Sequence, residues 1–171
     1  MAEPFAHPAG PLLVVDADAC PVTRECLAEA RRAGVPVLLA GNTTQNLEKH
    51  LRPDDPRDPA HARRGFWAAT STSVVGADSA DFQIVTCLQA GDVVVTQDIG
   101  LAAMALGRGA AAIGVRGRVY DRATIDSALF IRHEEKKVRR AGGRTQGPSA
   151  FTDQDRSRFV RNLRRLLEEA R

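Results

Sequence analysis

Short blocks of consecutive apolar residues alternate along this chain with longer stretches in which apolar residues recur every three to four positions. The first block, Leu12 to Val15, reads Leu-Leu-Val-Val and has no polar alternation, as suits a strand covered on both faces. Val35 to Ala40 and Asp92 to Thr96 read the same way, Ala110 to Val115 supplies a further strand, and Phe66 to Val75 is β-prone. Between the blocks, Val22, Cys26, Leu27 and Ala30 fall at helical spacing over Pro21 to Ala33. Cys20 is the expected N-cap of that helix, Pro21 its first residue and Gly34 its stop. Asp78 to Gln89 predicts a second helix, capped by Asp78 and turning Phe82, Ile84, Val85 and Leu88 inward. Ile99 to Leu106 predicts an apolar third, and Tyr120 to Arg140 an increasingly charged fourth. Thr152 to Ala170 predicts the last, opened by Thr152 and Asp155 in capping-box style, with Phe159, Leu163, Leu166 and Leu167 as its apolar stripe.

Strands alternating with helices make right-handed βαβ units. The pattern therefore predicts an α/β fold, a three-layer sandwich around a mostly parallel sheet of about five strands. Residues 1–11 read as an N-terminal extension and 12–171 as one domain. Arg52 to Gly65, with Pro53, Pro56 and Pro59 among interleaved acids and arginines, reads as a mobile surface loop, and Ala141 to Ser149 as a linker.

Length and composition agree: 171 residues, 43% hydrophobic and 26% charged, describe one globular domain with a sizeable core. No apolar run approaches the ~18 residues of a membrane span, and the start has neither the basic nor the apolar region of a secretory signal. Three cysteines (Cys20, Cys26, Cys87), an odd number without a Cys-x-x-Cys pair, favour reduced thiols and a cytoplasmic location. Charge changes the picture more. The overall +3 divides into −4 before Arg116 and +7 from Arg116 onward, and 21 of the 24 basic residues are arginine. An acidic half joined to an arginine-rich half suits a metal-dependent enzyme acting on a polyanion; a solvated helix surface explains the same arginines.

Three places put aspartate where a strand meets the following helix: Asp16 with Asp18, Asp78 with Asp81, and Asp98. Each alone reads as a cap or a helix-dipole partner. Parallel strands, however, bring their carboxyl ends to one edge, where crowded carboxylates repel one another unless protonated or bridged by cations. Mg²⁺ or Mn²⁺ is the fitting cation, and such a site generates hydroxide and clamps a scissile phosphate. Cys20 at a helix start is a candidate reactive thiol, weighed against the commoner buried cysteine. The four histidines fit no zinc spacing. Trp67 reads as core or as a base-stacking platform.

The runs Val14-Val15-Asp16-Ala17-Asp18-Ala19-Cys20-Pro21, Gly76-Ala77-Asp78-Ser79-Ala80-Asp81, Thr96-Gln97-Asp98-Ile99 and Gly147-Pro148 resemble the YaiI/YqxD family of uncharacterised bacterial proteins. The resemblance runs from about Leu12 almost to the C-terminus. That family's fold resembles PIN-like domains, a class that includes many metal-dependent ribonucleases. The resemblance implies that Asp16 matches the first PIN carboxylate, Asp78 or Asp81 the helix carboxylate, and Asp98 the one after the later strand. This chain departs in its N-terminal extension, in 52–65, and in Gly100, where the family more usually shows proline.

The leading expectation is a divalent-metal phosphodiesterase acting on RNA or another single-stranded nucleic acid. Asp16, Asp81 and Asp98 would be its catalytic metal ligands, supported by Asp18 and Asp78, and Arg158, Arg161 and Arg165 would bind substrate. Two alternatives stay open. One is a haloacid-dehalogenase-type phosphatase using Asp16 and Asp18, for which Lys49, Lys136 and Lys137 fall poorly in the chain. The other is a non-catalytic nucleic-acid-binding module. No membrane partner is expected.

Overall fold

The computed structural model describes residues 5–73 and 77–171, and the side chains at 73 and 77–80 lie outside that description. A six-stranded sheet has the order β3-β2-β1-β4-β5-β6. Its strands are β1 (Leu13–Asp16), β2 (Val37–Asn42), β3 (Ala68–Ser73), β4 (Val93–Val95), β5 (Ala111–Ile113) and β6 (Val119–Tyr120). The first five are parallel, and β6 runs antiparallel to β5. The helices are α1 (Thr23–Ala33), α2 (Ala77–Cys87), α3 (Ile99–Gly107), α4 (Arg122–Arg140) and α5 (Asp153–Ala170).

The strand pleat sorts the core into two halves. Leu13, Val15, Val37, Leu39, Val93 and Val95 face α1 and α5, meeting Cys26, Leu27, Phe159 and Leu163. Leu12, Val14, Leu38, Ala40 and Val94 face the other way, meeting Ile84 of α2, Leu88 just beyond it, Leu101 and Ala105 of α3 and Ile125 of α4. Both faces of β1 and β4 are therefore covered. That accounts for their uninterrupted apolar runs and gives the three layers.

Several expectations need correction. The mostly parallel sheet of about five strands holds, with a sixth, Val119–Tyr120, too short to carry a periodic signal; Tyr120 belongs to that strand rather than to a helix. The first helix begins at Thr23; its N-cap is Val22, which makes no side-chain cap bond, while Cys20 and Pro21 sit in the preceding turn. Phe82 does not turn inward but is 70% exposed, whereas Ile84 and Leu88 are buried. Asp78 falls inside α2, which runs from Ala77, and its side chain lies outside the described residues.

Segment 52–65, expected to be mobile, is fastened at several points. Asp55 is buried and accepts two bonds from Arg31, at 2.8 and 2.5 Å, and one from the Arg52 amide at 2.8 Å. Asp58 caps a short 3₁₀ turn at Pro59–His61, and the Pro56 carbonyl accepts from the Ala68 amide. Gly34 and Gly65 close the arrangement, both at positive φ, and a Cβ on Gly34 would collide with the Arg64 carbonyl. The N-terminal stretch also docks. His7 meets the buried carboxylate of Asp92 at 2.7 Å, and Phe5 packs on Trp67, which is core.

Candidate site at the carboxyl edge of the sheet

With β2 on one side of β1 and β4 on the other, the chain leaves the sheet in opposite directions at the β1/β4 boundary. In open α/β sheets, the crevice beyond the carboxyl ends of two such strands is where ligands bind. Asp16 is the last residue of β1, and Thr96, Gln97 and Asp98 follow β4 directly.

Thr96 joins the two sides. Its hydroxyl donates to Asp16 Oδ2 at 2.8 Å, and its Oγ1 accepts from the Asp98 amide at 3.0 Å. The Asp18 amide reaches Asp16 Oδ1 at 3.4 Å. Asp18 in turn accepts at 3.3 Å from both the amide and the side chain of Asn42, at the end of β2. Gln97 bonds back across the gap to the Ala19 carbonyl at 2.9 Å.

The carboxylates are treated unequally. Burial pushes Asp16 up from the ordinary aspartate value, and the negative charges of Asp18 and Asp98 add to that, while the bonds from Thr96 and the Asp18 amide only partly offset them. For Asp98 burial pulls the same way, but the Leu101 and Gly100 amides and the Arg132 guanidinium outweigh it and hold the carboxyl low. Asp98 is thus the N-cap of α3, accepting from Gly100 at 2.7 Å and Leu101 at 3.1 Å, and is also paired to Arg132 of α4 at 2.9 Å. Neither Asp16 nor Asp18 makes an ion pair among the described residues.

The fold thus brings Asp16, Asp18 and Asp98 into one electrostatic neighbourhood. Asp81 sits half-buried on α2. Among the described residues no three His, Cys, Asp or Glu side chains stand together as a metal-ligand group. As the side chains lie, the acids are hard oxygen donors of the right kind, but Asp98 is held by Arg132 and the ligand shell is not assembled. Sequence reasoning missed Thr96, Asn42 and Arg132. Thr96 and Asn42 follow apolar strands as the acids do, and that position was their available signal. Arg132, 34 residues beyond its partner, offered none.

The arginines of the basic helix are partly engaged in ion pairs. Arg158 donates to Asp155 at 2.7 Å and to the Arg116 carbonyl at 2.8 Å, and Arg165 lies 3.7 Å from Glu169. Arg156 pairs with Glu25, and Arg164 grips Glu29 with two bonds of 2.9 and 2.8 Å. Of the three arginines expected to bind substrate, Arg161 alone makes no ion pair among the described residues. Arg158 and Arg161 line a shallow depression of about 420 Å³ on α5. Cys20 opens into a separate cleft of about 310 Å³ lined also by Glu25 and Arg156, and the hydrogen bond from the Cys26 thiol lowers the Cys20 thiol to about 7.

Residues 62–169 match the profile described as "Uncharacterized BCR, YaiI/YqxD family". The chain belongs to the YaiI/YqxD family. A UPF0178 protein of Exiguobacterium sibiricum is 40% identical over 155 residues, covering 91% of this chain and 95% of its own length. A UPF0178 protein of Clostridium acetobutylicum is 38% identical over 157 residues, covering 91% and 95%, and one of Bacillus velezensis 37% identical over 155, covering 91% and 84%. No solved structure matches the chain. Among the described residues no helix is long and apolar enough to cross a membrane.

Proposed function

We propose that this YaiI/YqxD protein is a divalent-metal-dependent phosphodiesterase acting on RNA or another single-stranded nucleic acid, with its site at the β1/β4 crevice. The observation that supports this reading is the uncompensated charge there: Asp16, Asp18 and Asp98 share one crevice, and neither Asp16 nor Asp18 makes an ion pair among the described residues. Asp16, Asp81 and Asp98 are the proposed ligands for Mg²⁺ or Mn²⁺, with Asp18 and Asp78 beside them. A bound ion would supply hydroxide at neutral pH and charge neutralisation at the scissile phosphate. The chain's own residues orient the site. Thr96 fixes the Asp16 carboxylate, the α3 amides fix Asp98, and Asn42 holds Asp18. Arg132, once released from Asp98, would meet a phosphate oxygen, and Arg161, without an ion pair among the described residues, would offer its guanidinium farther along the polyanion.

The test combines a Mn²⁺ titration by calorimetry with cleavage of end-labelled single-stranded RNA, for the wild type and Asp16→Asn. Saturable Mn²⁺ binding and metal-dependent cleavage, both lost in Asp16→Asn, are expected. Absence of cleavage with either Mn²⁺ or Mg²⁺ overturns the reading.

A further inference from the structure

Cys20 and Cys26 are separated by five residues in sequence and meet in space. Cys20 is half-buried in the turn that leaves β1, a turn that passes through left-handed backbone at Ala19 (φ 53°), with the Cys20 carbonyl accepting from the Thr23 hydroxyl at 3.2 Å. Cys26 is wholly buried in the second turn of α1, and its thiol is the side-chain hydrogen-bond neighbour of the Cys20 thiol. Both pack in the half of the core beneath α1 and α5. Cys20 alone of the pair reaches solvent, through the cleft that also holds Arg24, His50 and Arg156. The third cysteine, Cys87, packs in the other half of the core, with the sheet between it and the pair.

We propose that Cys20 and Cys26 form an oxidisable thiol pair, with Cys20 the sulfur attacked first by hydrogen peroxide and Cys26 the resolving thiol. The Cys20 sulfur attacks the O–O bond. One oxygen stays on sulfur as sulfenic acid, and the other leaves as hydroxide and takes the thiol proton to become water. The Cys26 sulfur then displaces the sulfenic hydroxyl, which leaves with the Cys26 proton as a second water. Two thiols and one peroxide thus give one disulfide and two waters. Division of labour follows from access: peroxide enters by the cleft to Cys20, while Cys26 is buried beneath it and Cys87 lies across the sheet. The product ties the turn after Asp16 and Asp18 to α1. The chemistry is independent of whether those acids hold a metal.

The test uses the full chain, reduced, then treated with hydrogen peroxide, blocked with iodoacetamide and digested with trypsin. Cleavage after Arg24 separates the two cysteines, so the disulfide joins peptide 1–24 to peptide 25–31, and the pair falls apart on reduction. The intact oxidised chain should be about 2 Da lighter than the reduced one. Cys87→Ser should form the same link. Cys26→Ser should lose it and leave Cys20 as a sulfenic acid that dimedone captures. Alkylation of both Cys20 and Cys26 after peroxide treatment of the wild type, or a link through the Cys87 peptide 65–108, overturns the proposal without recourse to any variant.

Discussion

The seam between α1 and α5 and the carboxyl edge of the sheet handle charge in opposite ways. Along the seam, Glu25 meets Arg156, Glu29 meets both Arg164 and Arg32, and Glu168 meets Arg32, while at the start of α5 Asp155 meets Arg116 of the β5–β6 connection and Arg158. At the edge, Arg132 pairs with Asp98, and neither Asp16 nor Asp18 makes an ion pair among the described residues. In the seam Glu29 gains from ionising in the folded chain, held low by Arg164 and Arg32. At the edge Asp16 loses by it. Of the five arginines on α5, which look in sequence like a polyanion surface, four are held in ion pairs, while at the crevice neither Asp16 nor Asp18 has one among the described residues.

Removing a seam carboxylate should have the largest effect. Glu29 is buried and accepts three charged hydrogen bonds, so Glu29→Ala should lower unfolding free energy by about 1–2 kcal/mol, read by urea denaturation at neutral pH. Its pKa is depressed in the fold, so this contribution is present above the unfolded glutamate value and lost as pH falls through the folded one. The gap between wild type and variant should close in acid. A Glu29→Ala chain as stable as the wild type would make the seam's ion pairs ornaments on apolar packing.

Asp98→Ala comes next, at about 1 kcal/mol, through loss of the α3 cap and of the Arg132 pair. Asp98 is also depressed, so the sign is the same: stability present at neutral pH and lost towards acid. Asp98→Asn should cost less, because asparagine caps nearly as well. Thermal melts of the two variants separate the cap from the charge, and an equal loss in both would assign the effect to the ion pair.

The smallest effect carries the opposite sign. Asp16 is raised in the fold, so its ionisation opposes folding above the unfolded aspartate value, and the penalty disappears as pH falls below the folded one. Asp16→Asn should therefore stabilise the metal-free chain at neutral pH by roughly 0.5 kcal/mol, with the gain fading in acid. Melts in EDTA across pH decide it; a destabilised Asp16→Asn would mean that the bond from Thr96 outweighs the repulsion, and the edge would then resemble the seam.

How much was legible can be read residue by residue. The apolar runs at Leu12–Val15 and Asp92–Thr96 declare strands covered on both faces, and their placement before helices puts Asp16 and Asp98 at one edge. The capping box at Thr152 and Asp155 was equally plain, being local chemistry within one turn. The segment 52–65 reads as a loop from its composition, but its bonds to Arg31 and the approach of Gly34 to Gly65 are contacts made across the fold that no local pattern shows.

By itself, then, the sequence determined the five parallel strands and five helices, the parallel sense of the sheet and the edge where the acids gather, because periodicity, caps and right-handed crossovers act over short stretches of chain. Tertiary structure alone decided which charges are neutralised. Arg164 and Glu29 are 135 residues apart, Arg132 and Asp98 are 34 apart, and Thr96 reaches Asp16 across 80. Coulomb energy and hydrogen bonding depend on separation in space and on burial, and neither is a property of order along the chain.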